Sequence, residues 1–338
     1  MILVTGVSGA LGGLVLDRLT AASAAASERI GGPAVAAGTR PEVAGTTRPD
    51  VAGTRPVVVG GTRSPTAGSG ARHIDFDDPA SLAEGFAGVD VLLFVSAGYA
   101  EDDVVLARHG AVVEAAAAAG VRHVIYTSLA GSGERLTIAV PHRWTEERLA
   151  AAPFATTVLR NGLYVEVPVG LAVAGAETAA DTGEFSAPFG DGRISVVARE
   201  DLADAAARVA LEADADLAAE GRPGRHAGRV YELEGVEVLH GDDIAEVLSR
   251  ELGRPVRYRS APLGATREAL SASGLLPYQV GHAVSVFSNL KAGWLAATSS
   301  DLPELLDVPP RPVKELIADA VRAGGYVSQS VPGEVVAG

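Results

Sequence analysis

The first part of the chain with residue types suited to chemistry is Val4-Thr5-Gly6-Val7-Ser8-Gly9-Ala10-Leu11-Gly12. Its glycines stand as G-x-x-G-x-x-G. An apolar run, Ile2-Leu3-Val4, precedes them, and apolar residues at helical spacing follow: Leu11, Val15, Leu16 and Leu19. Strand, glycine turn and helix in that order can cradle a pyrophosphate. Gly6 permits a tight turn, Gly9 lets the backbone approach the phosphates, and Gly12 lets the helix pack close to the strand. The helix start then offers unpaired N–H groups and the positive end of its dipole. The expected chemistry is therefore dinucleotide binding. Other chemistries lack their residues. There is no cysteine, which excludes a thiolate metal site or a cysteine nucleophile. The seven histidines (73, 109, 123, 142, 226, 240 and 282) contain no H-x-x-x-H pair, so no metal is expected. A G-x-S-x-G elbow and a P-loop are also absent.

A glycine loop needs a sheet to hold it. Val89 to Val95 and Val121 to Thr127 read as buried strands, each followed by a helix (101–119 and about 141–151). Thr156 to Leu159 and Arg229 to Leu233 read as further strands, and Gly241-Asp242-Asp243 as the cap of a helix over 242–252. Strands alternating with helices predict an α/β fold with a doubly wound parallel sheet of the Rossmann type and a smaller C-terminal portion. The expected division is a dinucleotide-binding domain over 1–160, a mixed substrate-binding portion over 161–326 that returns strands to the sheet, and a loose tail over 327–338. Within 34–65 one short phrase recurs, ending in Gly38-Thr39-Arg40, Thr46-Thr47-Arg48, Gly53-Thr54-Arg55 and Gly61-Thr62-Arg63. One copy is expected to be the second strand and the others a Pro/Gly-rich excursion.

The 338 residues are 47% hydrophobic and 21% charged, enough to build a large core and too apolar for a disordered chain. The net charge of −14 argues against nucleic-acid binding. No run of 18 uncharged apolar residues and no signal-peptide pattern is present, so a cytoplasmic protein without membrane attachment is expected.

Several phrases give the chain a family resemblance: Val4 to Gly12, Tyr126-Thr-Ser-Leu129, His142 with Thr145-Glu146, Leu159-Arg-Asn-Gly-Leu-Tyr164 with Glu166, and Val230-Tyr-Glu-Leu233. In order and spacing, over roughly residues 1–310, the chain resembles the NmrA-like atypical short-chain dehydrogenases/reductases, specifically the bacterial NAD(P)H:quinone oxidoreductase type. The resemblance implies that the backbone of Gly6, Ser8, Gly9, Ala10, Leu11 and Gly12 holds the pyrophosphate. It implies that an arginine after the second strand contacts the 2′-phosphate of NADP. Arg63, after Val57-Val58-Val59, is the first candidate and Arg40 the second. Arginine without a neighbouring carboxylate favours NADP(H) over NAD(H). The family also places Asp75-Phe76 beside the adenine, and Arg160, Asn161 and Gly162 against the nicotinamide; Ser96-Ala97, ending the fourth strand at the carboxyl edge of the sheet, is expected near the nicotinamide ribose.

Most short-chain dehydrogenases carry Tyr-x-x-x-Lys. Here His142 stands at the tyrosine position and Glu146 at the lysine position, a departure shared with the quinone reductases. The expected function is hydride transfer from NADPH to a quinone or similar conjugated small molecule, apolar and planar. His142, Asn161 and Tyr164 are the candidate catalytic residues: His142 as proton or hydrogen-bond donor, Tyr164 as a pocket wall. The missing Tyr and Lys also fit a second reading, a non-catalytic NADP(H) sensor that binds a partner protein. A homodimer is possible.

Overall fold

The computed structural model describes residues 1–31, 56–97, 100–219 and 224–324. The chain opens with β1 (Ile2–Val4), α1 (Ala10–Gly31), β2 (Val58–Thr62), β3 (Arg72–His73), α2 (Pro79–Gly85), β4 (Val91–Phe94), α3 (Asp102–Ala118), β5 (His123–Leu129), α4 (Ala139–Ala150) and β6 (Ala155–Asn161). It continues with β7 (Leu163–Tyr164), α5 (Glu166–Thr182), β8 (Glu184–Ala187), β9 (Ile194–Val197), α6 (Arg199–Ala218), β10 (Val230–Leu233), β11 (Val238–Leu239), α7 (Gly241–Leu252) and β12 (Arg257–Ser260). The last described elements are α8 (Leu263–Ala272), α9 (Pro277–Lys291), α10 (Leu302–Leu305) and α11 (Val313–Arg322).

Seven strands form one sheet in the order β10-β6-β5-β4-β1-β2-β3, every neighbouring pair parallel. Such strands are buried on both faces, which is why β1, β4 and Val124-Ile125-Tyr126 of β5 are continuous apolar runs. Side chains alternate between two cores. Ile2, Val4, Leu93, Ile125 and Leu159 pack under α1 and α6, with Leu11, Val15 and Leu19. Leu3, Leu92, Phe94, Tyr126 and Val158 pack on the other face, under α2, α3 and α4. A third core joins β8, β9 and β11 to α5, α7, α9 and α11. Residues beyond 161 also rejoin the first sheet through β10, and α6 covers one of its faces.

The second strand is the last copy of the repeated phrase: β2 pairs with β1 in the register Ile2↔Val58, Leu3↔Val59, Val4↔Gly60. Arg63 follows it directly, whereas Arg40, the expected excursion and the expected tail lie outside the described residues. Two details differ from the sequence reading. The cap of α7 is His240, whose ring accepts from the Asp242 N–H while the Asp243 carboxylate takes the His240 N–H; Gly241 already belongs to the helix. The strand expected over 156–159 runs on to Asn161, because Arg160 and Asn161 pair with Ser128 and Leu129 of β5. Alternation along β6 therefore sends the Arg160 and Asn161 side chains to opposite faces of the sheet. No helix of the described residues is long and apolar enough to cross a membrane.

Candidate active site

At the end of β1 the neighbouring strands diverge, β2 to one side and β4 to the other, and ligands bind at such a switch point. The glycine loop lies there. Gly6 has φ +64°, a conformation open to glycine, and turns the chain out of the strand. A Cβ on Gly12 would stand 2.4 Å from the Gly6 carbonyl oxygen, so only glycine lets α1 start this close to β1. Within the loop the Val7 N–H donates to the Gly61 carbonyl (3.2 Å) and the Gly9 N–H to the Gly6 carbonyl (2.9 Å). The first bond from α1 back into the loop is Gly13 N–H to Gly9 (2.9 Å). Among the described residues, no group accepts the N–H of Ser8, Ala10, Leu11 or Gly12. Four backbone donors at a helix start suit a diphosphate, so the loop fits a dinucleotide. Thr5, which the sequence reading passed over, holds the base of the loop. Its hydroxyl accepts from the Val95 N–H (3.0 Å) and donates to the Val95 carbonyl (3.3 Å), tying the ends of β1 and β4 together.

Asp75 and Phe76 follow β3, and their bonds are local. The Asp75 carboxylate accepts the Asp77 N–H (3.0 Å), and the Phe76 ring meets Phe94 edge-on at 5.7 Å. Arg63 lies near enough to Asp77 to help hold that carboxyl below its ordinary pKa, after the larger effect of the Arg108 hydrogen bond. Beyond β4, the Ser96 N–H donates to Thr127 Oγ1 (3.0 Å) and the Ala97 N–H to His109 Nε2 (2.9 Å).

His142 and Glu146 lie one turn apart on α4 and enter different surroundings. His142 is buried, and its Nδ1 meets the Tyr126 hydroxyl at 2.8 Å. Burial lowers its pKa to about 4, so the ring is neutral at physiological pH. Glu146 accepts from Ser128 Oγ (2.5 Å), Arg143 Nη1 (2.7 Å) and Arg160, the last through both carboxylate oxygens. Burial alone would raise this carboxyl; the hydrogen bonds from Arg160 and Ser128, with the charge of Arg143, hold it below its ordinary value.

The Arg-Asn-Gly-Leu-Tyr phrase divides its work. Arg160 and Gly162, expected at the cofactor, make close contacts within the protein. The Arg160 guanidinium spans Glu146 and Glu232 (Nη1–Oε1 2.8 Å), pinning β6 between α4 and β10. A Cβ on Gly162 would stand 3.1 Å from the Glu234 backbone, so glycine here admits the chain beyond β10. Tyr164 is 4% exposed, and the Arg199 guanidinium stacks over its ring at 4.6 Å while pairing with Glu166 at 3.2 Å. It is a core residue beneath an ion pair. Asn161 is the member whose amide is not consumed: it is 4% exposed, and its Nδ2 has no partner among the described residues. A buried amide donor without a partner is costly. Thr5, Tyr126, Thr145 and Glu232 stand within the phrases that carry the family resemblance but have no role assigned there, and His109 lies outside those phrases; their partners are far along the chain, as Val95 is from Thr5 and Gly131 from Glu232.

Residues 1–293 match the NmrA-like family, and the chain belongs to it. Quinone oxidoreductase 2 of Escherichia coli K12 is 35% identical over 205 residues, which span 60% of this chain and 66% of that protein. Among solved structures, a Citrobacter triphenylmethane reductase complexed with NADP(H) superposes with a TM-score of 0.72 at 26% identity, covering 95% of this chain and all of that one. An NADPH-dependent quinone oxidoreductase of Escherichia coli, complexed with NADPH, gives 0.70 at 28% identity, covering 94% and 99%.

Proposed function

We propose that this protein is an NAD(P)H-dependent oxidoreductase that reduces a quinone or a similar conjugated, planar small molecule, with NADPH as the donor. The observation that carries the reading is the set of four backbone N–H donors on Ser8, Ala10, Leu11 and Gly12 at the switch point of the parallel sheet. The E. coli quinone oxidoreductase and the NADP(H) complex of the triphenylmethane reductase support the reaction class and the cofactor. Arg63, at the end of β2, is the residue assigned to the 2′-phosphate.

When bound, NADPH supplies a hydride. The chain supplies position and polarity. The glycine loop anchors the diphosphate, and the Asn161 amide offers a hydrogen bond at the carboxyl edge of β6. A quinone that accepts hydride becomes a stabilised oxyanion and needs one proton, which solvent provides, while the neutral His142 ring donates a hydrogen bond to the oxyanion. Residues 1–160 hold the dinucleotide, residues from 161 onward enclose the acceptor, and the protein works in the cytoplasm.

The test is loss of NADPH absorbance with a panel of quinones. Turnover with at least one quinone, faster with NADPH than with NADH, is the expected result. Tight NADPH binding without turnover on any acceptor would overturn the reading and favour a sensor.

A further inference from the structure

Tyr126 and His109 lie between β5, α3 and α4, and neither belongs to the chemistry described so far. Their hydrogen bonds form a chain whose direction is fixed at one end. A backbone N–H can only donate, so His109 Nε2, 2.9 Å from the Ala97 nitrogen, must accept. A neutral imidazole then carries its proton on the other nitrogen. His109 is neutral because burial lowers its pKa to about 3. Its Nδ1–H therefore donates to Thr145 Oγ1 (2.7 Å), and the Thr145 hydroxyl donates in turn to the Pro141 carbonyl (2.7 Å).

This leaves the Tyr126 hydroxyl, fully buried, with one well-placed acceptor, since the nearby Thr145 oxygen already takes the His109 proton. Two ring nitrogens approach it: His109 Nδ1 at 3.5 Å, which already bears a proton, and His142 Nδ1 at 2.8 Å. The Tyr126 O–H thus donates to His142 Nδ1. The opposite polarity, with His142 Nδ1–H donating to the tyrosine oxygen, would leave the Tyr126 proton only Thr145 Oγ1, which lies near but already accepts from His109 and makes a poorer contact than the 2.8 Å one to His142.

We infer that Tyr126 is a positioning residue that locks His142 in the tautomer bearing its proton on Nε2, and that the lock is set through Thr145 and His109 by the backbone N–H of Ala97. The inference rests on the proposed role of His142 as donor to the reduced acceptor. Its consequence is that Nε2–H is the ring's one remaining donor, because no hydrogen bond among the described residues takes it. The two histidines are mirror images, with the proton on Nδ1 in His109 and on Nε2 in His142. The chain also links a segment beyond β4, assigned to the cofactor ribose, to the group assigned to the acceptor.

The tautomers can be read without any turnover, from long-range ¹H–¹⁵N correlation spectra of the full chain labelled with ¹⁵N-histidine. Resonances are assigned by their disappearance in His142→Asn and His109→Asn. The expected result is a protonated Nε2 with a bare Nδ1 for His142, and the reverse for His109. A protonated Nδ1 on His142, or the same tautomer on both rings, overturns the inference. Tyr126→Phe keeps the ring packing and removes the hydroxyl. It should leave His109 unchanged and make His142 a mixture of tautomers. Quinone turnover should fall by the fraction of ring left in the wrong form, roughly two- to fivefold, with NADPH affinity unchanged. A single unaltered His142 tautomer in Tyr126→Phe overturns the positioning role. If the tautomers are as assigned and no quinone is turned over, the proposed reaction fails while the lock stands.

Discussion

Glu146 takes Arg160 on both carboxylate oxygens, Nε to Oε1 at 3.0 Å and Nη2 to Oε2 at 2.6 Å. The position that carries lysine in most short-chain dehydrogenases therefore holds an anion closed under a guanidinium, and it joins α4 to β6. Truncating Arg160 leaves Glu146 half-buried with its two-pronged partner gone. Arg160→Ala should cost about 2–3 kcal/mol, less than a fully buried pair, because a quarter of the arginine is exposed. Arg160→Lys should recover only part of this, since an ammonium cannot match both oxygens. Denaturant unfolding measures both, and unchanged midpoints would show the pair to be energetically idle.

The glycine loop separates two roles. Gly12→Ala puts a methyl 2.4 Å from the Gly6 oxygen, whereas the same change at Gly9 meets that oxygen at 3.3 Å. Overpacking of the first kind costs about 1–3 kcal/mol, and the loop must move to relieve it. NADPH affinity should fall roughly tenfold or more in Gly12→Ala and less in Gly9→Ala. Gly9→Asp, which adds a carboxylate where a diphosphate would lie, should abolish binding while the fold persists. Calorimetric titration decides, and full affinity in Gly9→Asp would mean that the loop is only a turn.

Arg63→Ala should remove the preference for NADPH over NADH. A charge-assisted bond to phosphate contributes about 1.5–3 kcal/mol, so NADPH should weaken roughly 10- to 150-fold and NADH hardly at all. Parallel titrations with the two nucleotides provide the check. An unaltered ratio would send the assignment to another arginine of the repeated phrase, Arg40 first.

Acid should destabilise the protein in two stages. Burial lowers the pKa of His109 to about 3 and those of His123 and His142 to about 4. Histidine in an unfolded chain titrates near 6.5. Between these values the unfolded chain binds protons that the folded chain refuses, so stability rises with pH across this window. The contribution is complete above about pH 6.5 and is lost as pH falls toward 4. Below that, Glu212, held at about 2 chiefly by its hydrogen bond with His226, adds a carboxylate loss. The Tm should therefore drop from about pH 6.5 to 4.5, and His123→Gln should flatten part of the slope. A flat Tm over this range would mean that the rings are protonated in the fold.

Much of this architecture is legible in the sequence because its signals are local. Apolar runs a few residues long mark β1, β4 and β5, and the glycine triplet marks the loop. The choice among repeats needed contacts. Gly60 stands where the other copies have Ala37, Ala44 and Ala52, and a Cβ at Gly60 would lie 2.9 Å from Leu16 and 3.1 Å from Val7. The copy that became β2 is the one that leaves room for α1. The phrase 160–164 was legible as a unit but not in its parts, because strand alternation and partners 14 and 72 residues away decide what Arg160 does. Tyr164, expected as a pocket wall, carries the Arg199 guanidinium across its ring, a contact that no spacing in the sequence signals. His109 carries no local signal at all, since Thr145 and Ala97 are neighbours only in space.

The three remaining copies of the phrase all precede Pro56, and the register of β2 on β1 begins at Val58. The residues of β2 that pair with β1 are thus all separate in sequence from the three other copies. Tandem runs of one short coding phrase are prone to slippage when the DNA is copied. A change in copy number made there would alter the length of the gene and of the chain and leave in place the residues that pair β2 with β1 and those of the glycine loop.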